Sequence, residues 1–241
     1  NLCDQHAHSK DAFRRCVRDH AFKRLDRAIE RLDHLIAITA QRDDDSLGSE
    51  LAAQPRRNLE RWSLLGSAYK TKAQLSARAG YAQSTVWAEL KRARDAYQQG
   101  EGRPNDPGFN PYSMLNRLQI EAILEPDGSR DEIVELAEVC KEAARGRFKD
   151  GYSFWDAIMV VEADLTMSLA TQRLADGTAA NRLLSSYQDA AATVPKSARK
   201  FDSATKQLRF LAQVLKTGGD EAQAETLEHI ASALLEQAPG E

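Results

Sequence analysis

Cysteine is scarce, with three residues in 241 and no repeating interval between them. That excludes a disulfide framework and points to a reducing cytoplasm. No apolar run approaches the roughly 20 residues needed to cross a bilayer. The opening "NLCDQHAHSK" has no apolar core of a signal peptide. No initiator methionine opens the sequence, which is read as one region of a larger protein. Valine and isoleucine are few beside leucine and alanine, and no convincing period-2 segment occurs, so a sheet is not expected. Excess positive charge is missing too: the formal net charge is −3, which removes a global field for nucleic acid or anionic lipid.

What is present is helical pattern almost end to end. Residues 9–41 form a long leader in which Phe13, Val17, Leu25, Ile29, Leu32 and Ile36 recur at helical steps, with Ser9 as the cap. "QRDDDSLGSELAAQPRR" reads as a polar loop. Helices then come in pairs: Leu59–Ala79 with Ser84–Gln99, Pro111–Leu124 with Ser129–Arg147, Ser153–Leu174 with Thr178–Thr193, and Ser197–Lys216 with Asp220–Gln237. Between the first two pairs, "GEGRPNDPGFNP" holds three prolines and three glycines and cannot continue a helix. "EPDGS" is a turn, and Gly218 and Gly219 stop one helix before Asp220 caps the next. The expected organisation is a leader and loop over 1–57, then a helical repeat domain over 58–241.

The stretch "WSLLGSAYK" puts a glycine among bulky anchors. Trp62, Leu65, Gly66 and Tyr69 share one helix face. A glycine there costs about 1 kcal/mol of helix propensity, which makes sense only at a close helix crossing. These four residues resemble the tetratricopeptide-repeat signature W-x2-L-G-x2-Y, and Ala93 and Tyr97 resemble its second-helix A-x3-F. Pro104 and Pro107 are candidates for the proline that follows. The loop "SARAGYAQSTVW" departs from the family by lengthening the hairpin beyond the usual unit of about 34 residues. Tyr112, Leu115, Asn116 and Gln119 fit the template 50 residues on, and Trp155, Ile158, Met159 and Glu162 fit it 43 further. The fold implied is all-α: a tetratricopeptide-like solenoid of about four hairpins after a long N-terminal helix. "ERWSLLGSAYKTKAQLS", "ARDAYQQG" and "NPYSMLNRLQIEAIL" also resemble bacterial tetratricopeptide modules that stand beside effectors such as CHAT-type protease domains.

No nucleophile elbow, phosphate loop or protease Cys/His signature nominates a catalytic residue, so no enzyme activity and no cofactor is expected. Cys3, His6, His8, Cys16 and His20 gather three of five histidines and two of three cysteines near the start. Cys3, His6, Cys16 and His20 are the alternative reading, a metal-binding or small-molecule-sensing helical domain, but no paired C-x2-C knuckle supports zinc. Asp43, Asp44, Asp45 and Glu50 lack calcium-loop spacing and read as a solvated acidic loop. "KRARDAY" and "RFLAQVLK" carry basic residues on helices, but acidic neighbours interrupt the contiguous stripe that nucleic-acid contact needs. Trp62, Trp87 and Trp155 read as core anchors.

If hairpins stack into a solenoid, their first helices line an inner groove. The template points Glu60, Ser63, Ser67, Lys70 and Thr71 inward from the first unit. Asn110, Ser113, Arg117 and Glu121 follow from the second, and Ser153, Asp156 and Asp164 from the third. Such polar faces of mixed sign suit an extended peptide or helix. Ser63 and Ser67 replace the Lys and Asn of the carboxylate clamp in chaperone-binding relatives, so capture of an EEVD-like tail is not expected. The function implied is a protein-interaction scaffold or regulatory module, binding a partner protein or an effector domain of the same polypeptide.

Overall fold

The computed structural model describes residues 9–45, 54–106, 108–151, 153–192 and 198–236. Among these residues every regular element is helical. The leader comprises α1 (Lys10–Cys16), a π-helical stretch (Val17–Phe22) and α2 (Lys23–Asp45). Four hairpins follow: α3 (Gln54–Arg78) with α4 (Gln83–Gly100), α5 (Pro111–Leu124) with α6 (Arg130–Gly151), α7 (Phe154–Ala170) with α8 (Gly177–Ala192), and α9 (Ala198–Gly218) with α10 (Glu221–Glu236). The all-α hairpin architecture read from the sequence is therefore the one observed.

Local chemistry sets the boundaries. Ser9 Oγ accepts from the Ala12 amide at the start of the leader. Ser153 Oγ accepts from the Trp155 amide, and Asp220 Oδ1 from the Gln223 amide. Gly80 and Gly219 close α3 and α9 at φ +68° and +91°, where a side chain would be strained. The α3–α4 connection within "SARAGYAQSTVW" is residues 79–82, as short as the gap between the expected helices Leu59–Ala79 and Ser84–Gln99. One expected loop is shorter than read. The polar stretch after the leader is entered from both sides: α2 continues through Asp45, and α3 starts at Gln54. Asp43, Asp44 and Asp45 thus belong to a helix, while Glu50 lies outside the described residues.

The chain forms two compact units, Asn1–Ser113 and Met114–Glu241. In the first, the leader packs against α3. It lies antiparallel along α3. Phe13, Cys16 and Val17 pack on Leu75 and Ala79 near the end of α3, while Ile29, Leu32 and Ile36 pack with Trp62, Leu65 and Tyr69 near its start. At 3.6 residues per turn a stripe from Phe13 to Ile36 would drift by about 0.4 of a turn. The wider i→i+5 turns of Val17–Phe22 return part of that drift and keep the stripe on α3.

Polar groups fasten the leader at several heights. Arg14 Nη2 donates to the Gly80 carbonyl at 2.5 Å, and its guanidinium lies over Tyr81. Arg61 Nη1 donates to the Leu35 carbonyl at 3.1 Å and to Thr39. Between them, Lys72 Nζ stands 2.8 Å from Asp26 of the leader and 3.4 Å from Glu89 of α4. These carboxylates hold the Lys72 ammonium above its ordinary pKa against the opposing effect of burial.

In the second unit α5 is buried on nearly every side from Met114 to Ile120. Leucines and alanines of α6 to α10 supply the rest of the core, with Leu165, Leu208, Leu211, Leu227 and Ile230 fully enclosed.

Candidate functional site

In the first unit the site begins from a steric fact at Gly66. A β-carbon there would stand 2.7 Å from Tyr97 Cδ1, closer than real β-carbons come. The glycine lets the Tyr97 ring press close against α3, which answers why it interrupts a run of anchors. Tyr97 is fully buried, and its hydroxyl is 3.0 Å from Ser67 Oγ. Ser67 Oγ in turn donates to the Ser63 carbonyl at 3.0 Å and lies 3.4 Å from the Tyr112 hydroxyl. The two tyrosine rings meet edge to face at 6.2 Å. Burial first, and then the neighbouring Tyr112, push the Tyr97 phenol well above its ordinary pKa.

One turn earlier a second close approach occurs. A β-carbon on Gly100 would meet the Ser63 backbone nitrogen at 2.8 Å and the Leu59 carbonyl at 3.0 Å. Ser63 Oγ donates to the Leu59 carbonyl at 2.8 Å and is 2.6 Å from Ser113 Oγ. Asn110 Nδ2 donates to both hydroxyls, at 3.1 and 3.2 Å. Of the residues expected to line a groove here, Ser63 and Ser113 are therefore interior, spent on tying α3 to the start of α5. Ser67, Lys70 and Asn110 are partly buried, and Glu60 and Thr71 are exposed. Tyr112, expected as a buried anchor, is 43% exposed.

The second unit brings together polar groups that the sequence pattern does not join. Gln119 Nε2 donates to Glu162 Oε2 at 2.7 Å, and Tyr187 Oη donates to Glu162 Oε1 at 2.8 Å. Gln207 Nε2 donates to Gln119 Oε1 at 2.7 Å. Helices α5, α7, α8 and α9 thus meet around one buried carboxylate. Burial, and then the Glu162 charge, raise the Tyr187 phenol well above its ordinary pKa. Gln119 and Glu162 both occupy the last position of the template laid on α5 and α7, the place of Tyr69 in α3. That shared register is the only signal in the sequence that they would meet.

Around this centre Arg117 Nη1 pairs with Glu121 Oε2 at 2.8 Å, and Lys141 Nζ with Asp164 Oδ1 at 2.6 Å. Arg117 is buried, whereas Glu121, Ser153, Asp156 and Asp164 are partly exposed. Trp155 is not a core anchor: it is 51% exposed, with Phe154 buried beneath it edge to face.

Of the alternative ligand set, Cys3 and His6 lie outside the described residues. Cys16 is buried in the leader's apolar cluster, whereas His20 is exposed. No three His, Cys, Asp or Glu side chains gather for a metal among the described residues.

Residues 6–121, the leader, the first hairpin and most of α5, match the family described as Tetratricopeptide Repeats-Sensor. This segment is a tetratricopeptide-type repeat domain. The repeat domain's first unit carries the whole signature, with Gly66 and Tyr97 at the crossing. Its leader covers the Trp62 and Tyr69 face of α3. Domains of this type carry protein-interaction or sensing roles. No curated protein and no solved structure matches the chain. No described helix is long and apolar enough to cross a membrane.

Proposed function

We propose that this chain is a non-catalytic recognition module that holds an extended segment of a partner protein along α3 and the start of α5. The observation that carries the reading is the state of Tyr112. Its ring is open to solvent, yet it is fixed by the hydroxyl of Ser67 and by the edge-to-face contact with Tyr97. An exposed aromatic already held in one orientation loses little entropy on binding and makes a good hot spot. Lys70 and Thr71 lie three and four residues beyond Ser67, and Glu60 lies at the other end of the row. Together they give the surface charges of both signs.

A peptide library displayed against the isolated chain tests this directly. The expected result is a family of enriched peptides that lose binding when Tyr112 is replaced by Ala or Lys70 by Glu. No enrichment, or enriched peptides indifferent to both changes, would contradict it.

A second reading, small-molecule sensing, draws on the description of the matching family as a sensor and on the convergence of Gln119, Glu162 and Gln207 in the second unit. A thermal-shift screen against metabolites addresses it, because a ligand that binds only the native state raises the melting temperature. Both readings keep the cytoplasmic location expected from the three irregularly spaced cysteines, and both allow the partner to be an effector domain of the same polypeptide.

A further inference from the structure

The leader packs on α3 with one face and leaves the opposite face open. On that open face His20, Arg24, Arg27, Arg31 and His34 follow one another at intervals of four, three, four and three residues, and all five are exposed. The spacing makes them one continuous stripe along the helix. Arg24, Arg27 and Arg31 have no ion-pair or hydrogen-bond partner among the described residues. Leu35, four residues past Arg31, continues the line and is 44% exposed. A strongly basic stripe with an exposed leucine is unusual on a chain whose net charge is −3.

The second unit carries the opposite pattern. On α6 the residues Asp131, Glu135, Glu138 and Glu142 follow at intervals of four, three and four, and all are exposed. Val139, four residues past Glu135, is 38% exposed on the same line. Asp131 and Glu135 have no ion partner among the described residues. Glu138 lies 3.9 Å from Lys141, whose shorter bond is to Asp164, and Glu142 pairs with Arg145. The acids of α10 are less available, since Glu221 and Glu228 stand across from Lys216 and Arg209.

We infer that the basic stripe of the leader in one molecule docks on the acidic stripe of α6 in a second copy of this chain. Arg24 to Arg31 and Asp131 to Glu138 each span seven residues, about 10 Å along a helix axis, so three opposite charges face one another without strain. Leu35 and Val139 supply an apolar contact at the edge of the charged row. The flanking charges favour a protein over a polyanion: Glu30 and Asp33, exposed beside the basic stripe, would repel nucleic acid or anionic lipid. The two surfaces differ, so the contact is heterologous and association runs head to tail. Exposed ion pairs are individually weak and screened by salt. The assembly is therefore concentration-dependent and salt-sensitive.

Sedimentation velocity of the full chain, at about 50 mM and about 500 mM salt, on either side of effective screening, tests the inference. The wild type is expected to sediment faster as concentration rises at low salt and to be monomeric at high salt. Two triple variants, Arg24→Glu/Arg27→Glu/Arg31→Glu and Asp131→Lys/Glu135→Lys/Glu138→Lys, change only exposed residues, and circular dichroism checks their helix content. Each alone should stay monomeric at low salt, and an equimolar mixture should associate. A wild type that is monomeric at all concentrations at low salt overturns the inference. So do single variants that associate as the wild type does, or a folded pair whose mixture stays monomeric. Binding of a nucleic-acid probe by the leader stripe without self-association overturns it as well.

Discussion

Gly66 of α3 and Tyr97 of α4 are in contact so close that no β-carbon fits between them: it would lie 2.7 to 2.9 Å from three ring atoms. The ring is buried on all sides, so it cannot swing away. Gly66→Ala gains up to about 1 kcal/mol in helix propensity but overpacks the crossing, which costs about 1–3 kcal/mol or more. Net destabilisation is expected, read as a lower urea midpoint. Adding Tyr97→Leu to the Gly66→Ala variant should recover part of it.

Glycines elsewhere give the opposite sign. Gly146 lies inside α6, and a β-carbon placed there would have nothing within 4 Å. Gly146→Ala should therefore stabilise by about 0.5–1 kcal/mol. Gly100→Ala should destabilise, because the atoms it would strike, Ser63 nitrogen and the Leu59 carbonyl oxygen, belong to backbone. Thermal melts of the two variants should move in opposite directions.

Lys72 joins three helices through Asp26 and Glu89. Its side chain is 15% exposed and that of Glu89 is 10% exposed, whereas Asp26 is 48% exposed. Lys72→Met leaves Glu89 charged and enclosed, with Arg92 at 3.5 Å as the remaining cation. A loss of about 1–3 kcal/mol is expected, below the full cost of stripping a buried pair because Asp26 stays hydrated. Asp26→Asn should cost less than about 1 kcal/mol, as for exposed pairs. Denaturant curves that rank the two in reverse would contradict this division.

Tyr97 and Tyr187 give the fold an alkaline limit. Burial comes first among the causes of both raised pKa values, followed by Tyr112 for Tyr97 and by Glu162 for Tyr187. A phenol whose folded pKa lies above its unfolded value, about 10, binds its proton more tightly in the native state. Its contribution to stability is thus complete below about pH 10 and is lost as pH rises from there toward the folded pKa. Of six tyrosines, these two should form tyrosinate only as helical signal disappears. Ultraviolet absorbance and circular dichroism followed together in one alkaline titration would show it.

Much of the fold was legible because its boundaries are chemical. Ser9 and Asp220 cap helices where they were expected to, and Gly219 stops α9. The glycine of "WSLLGSAYK" signalled a close helix crossing, and Tyr97 of α4 is the residue that fills it. Legibility failed where burial is not one-sided. Helix α5 is enclosed almost all round, so its template could not show that Tyr112 is the residue facing water. Ser63 and Ser113 looked like solvent-facing groove positions. A serine hydroxyl can instead satisfy itself against the carbonyl four residues back, as Ser63 does at Leu59, and then be buried without penalty. Gln119, Glu162 and Gln207 are 43 and 45 residues apart in sequence, and no local rule connects them. Nor could sequence show that the leader folds onto Trp62 and Tyr69, because either an intramolecular or an intermolecular partner would satisfy its apolar stripe.

The claim that Tyr112 and its neighbours form a recognition surface is tested most directly by calorimetric titration of one library-selected peptide into the wild type and into Tyr112→Ala. At least about a tenfold loss of affinity, 1.4 kcal/mol, is expected, while the variant stays folded with a melting temperature only modestly lowered by the lost edge-to-face contact with Tyr97. Equal affinity for both proteins would rule the surface out.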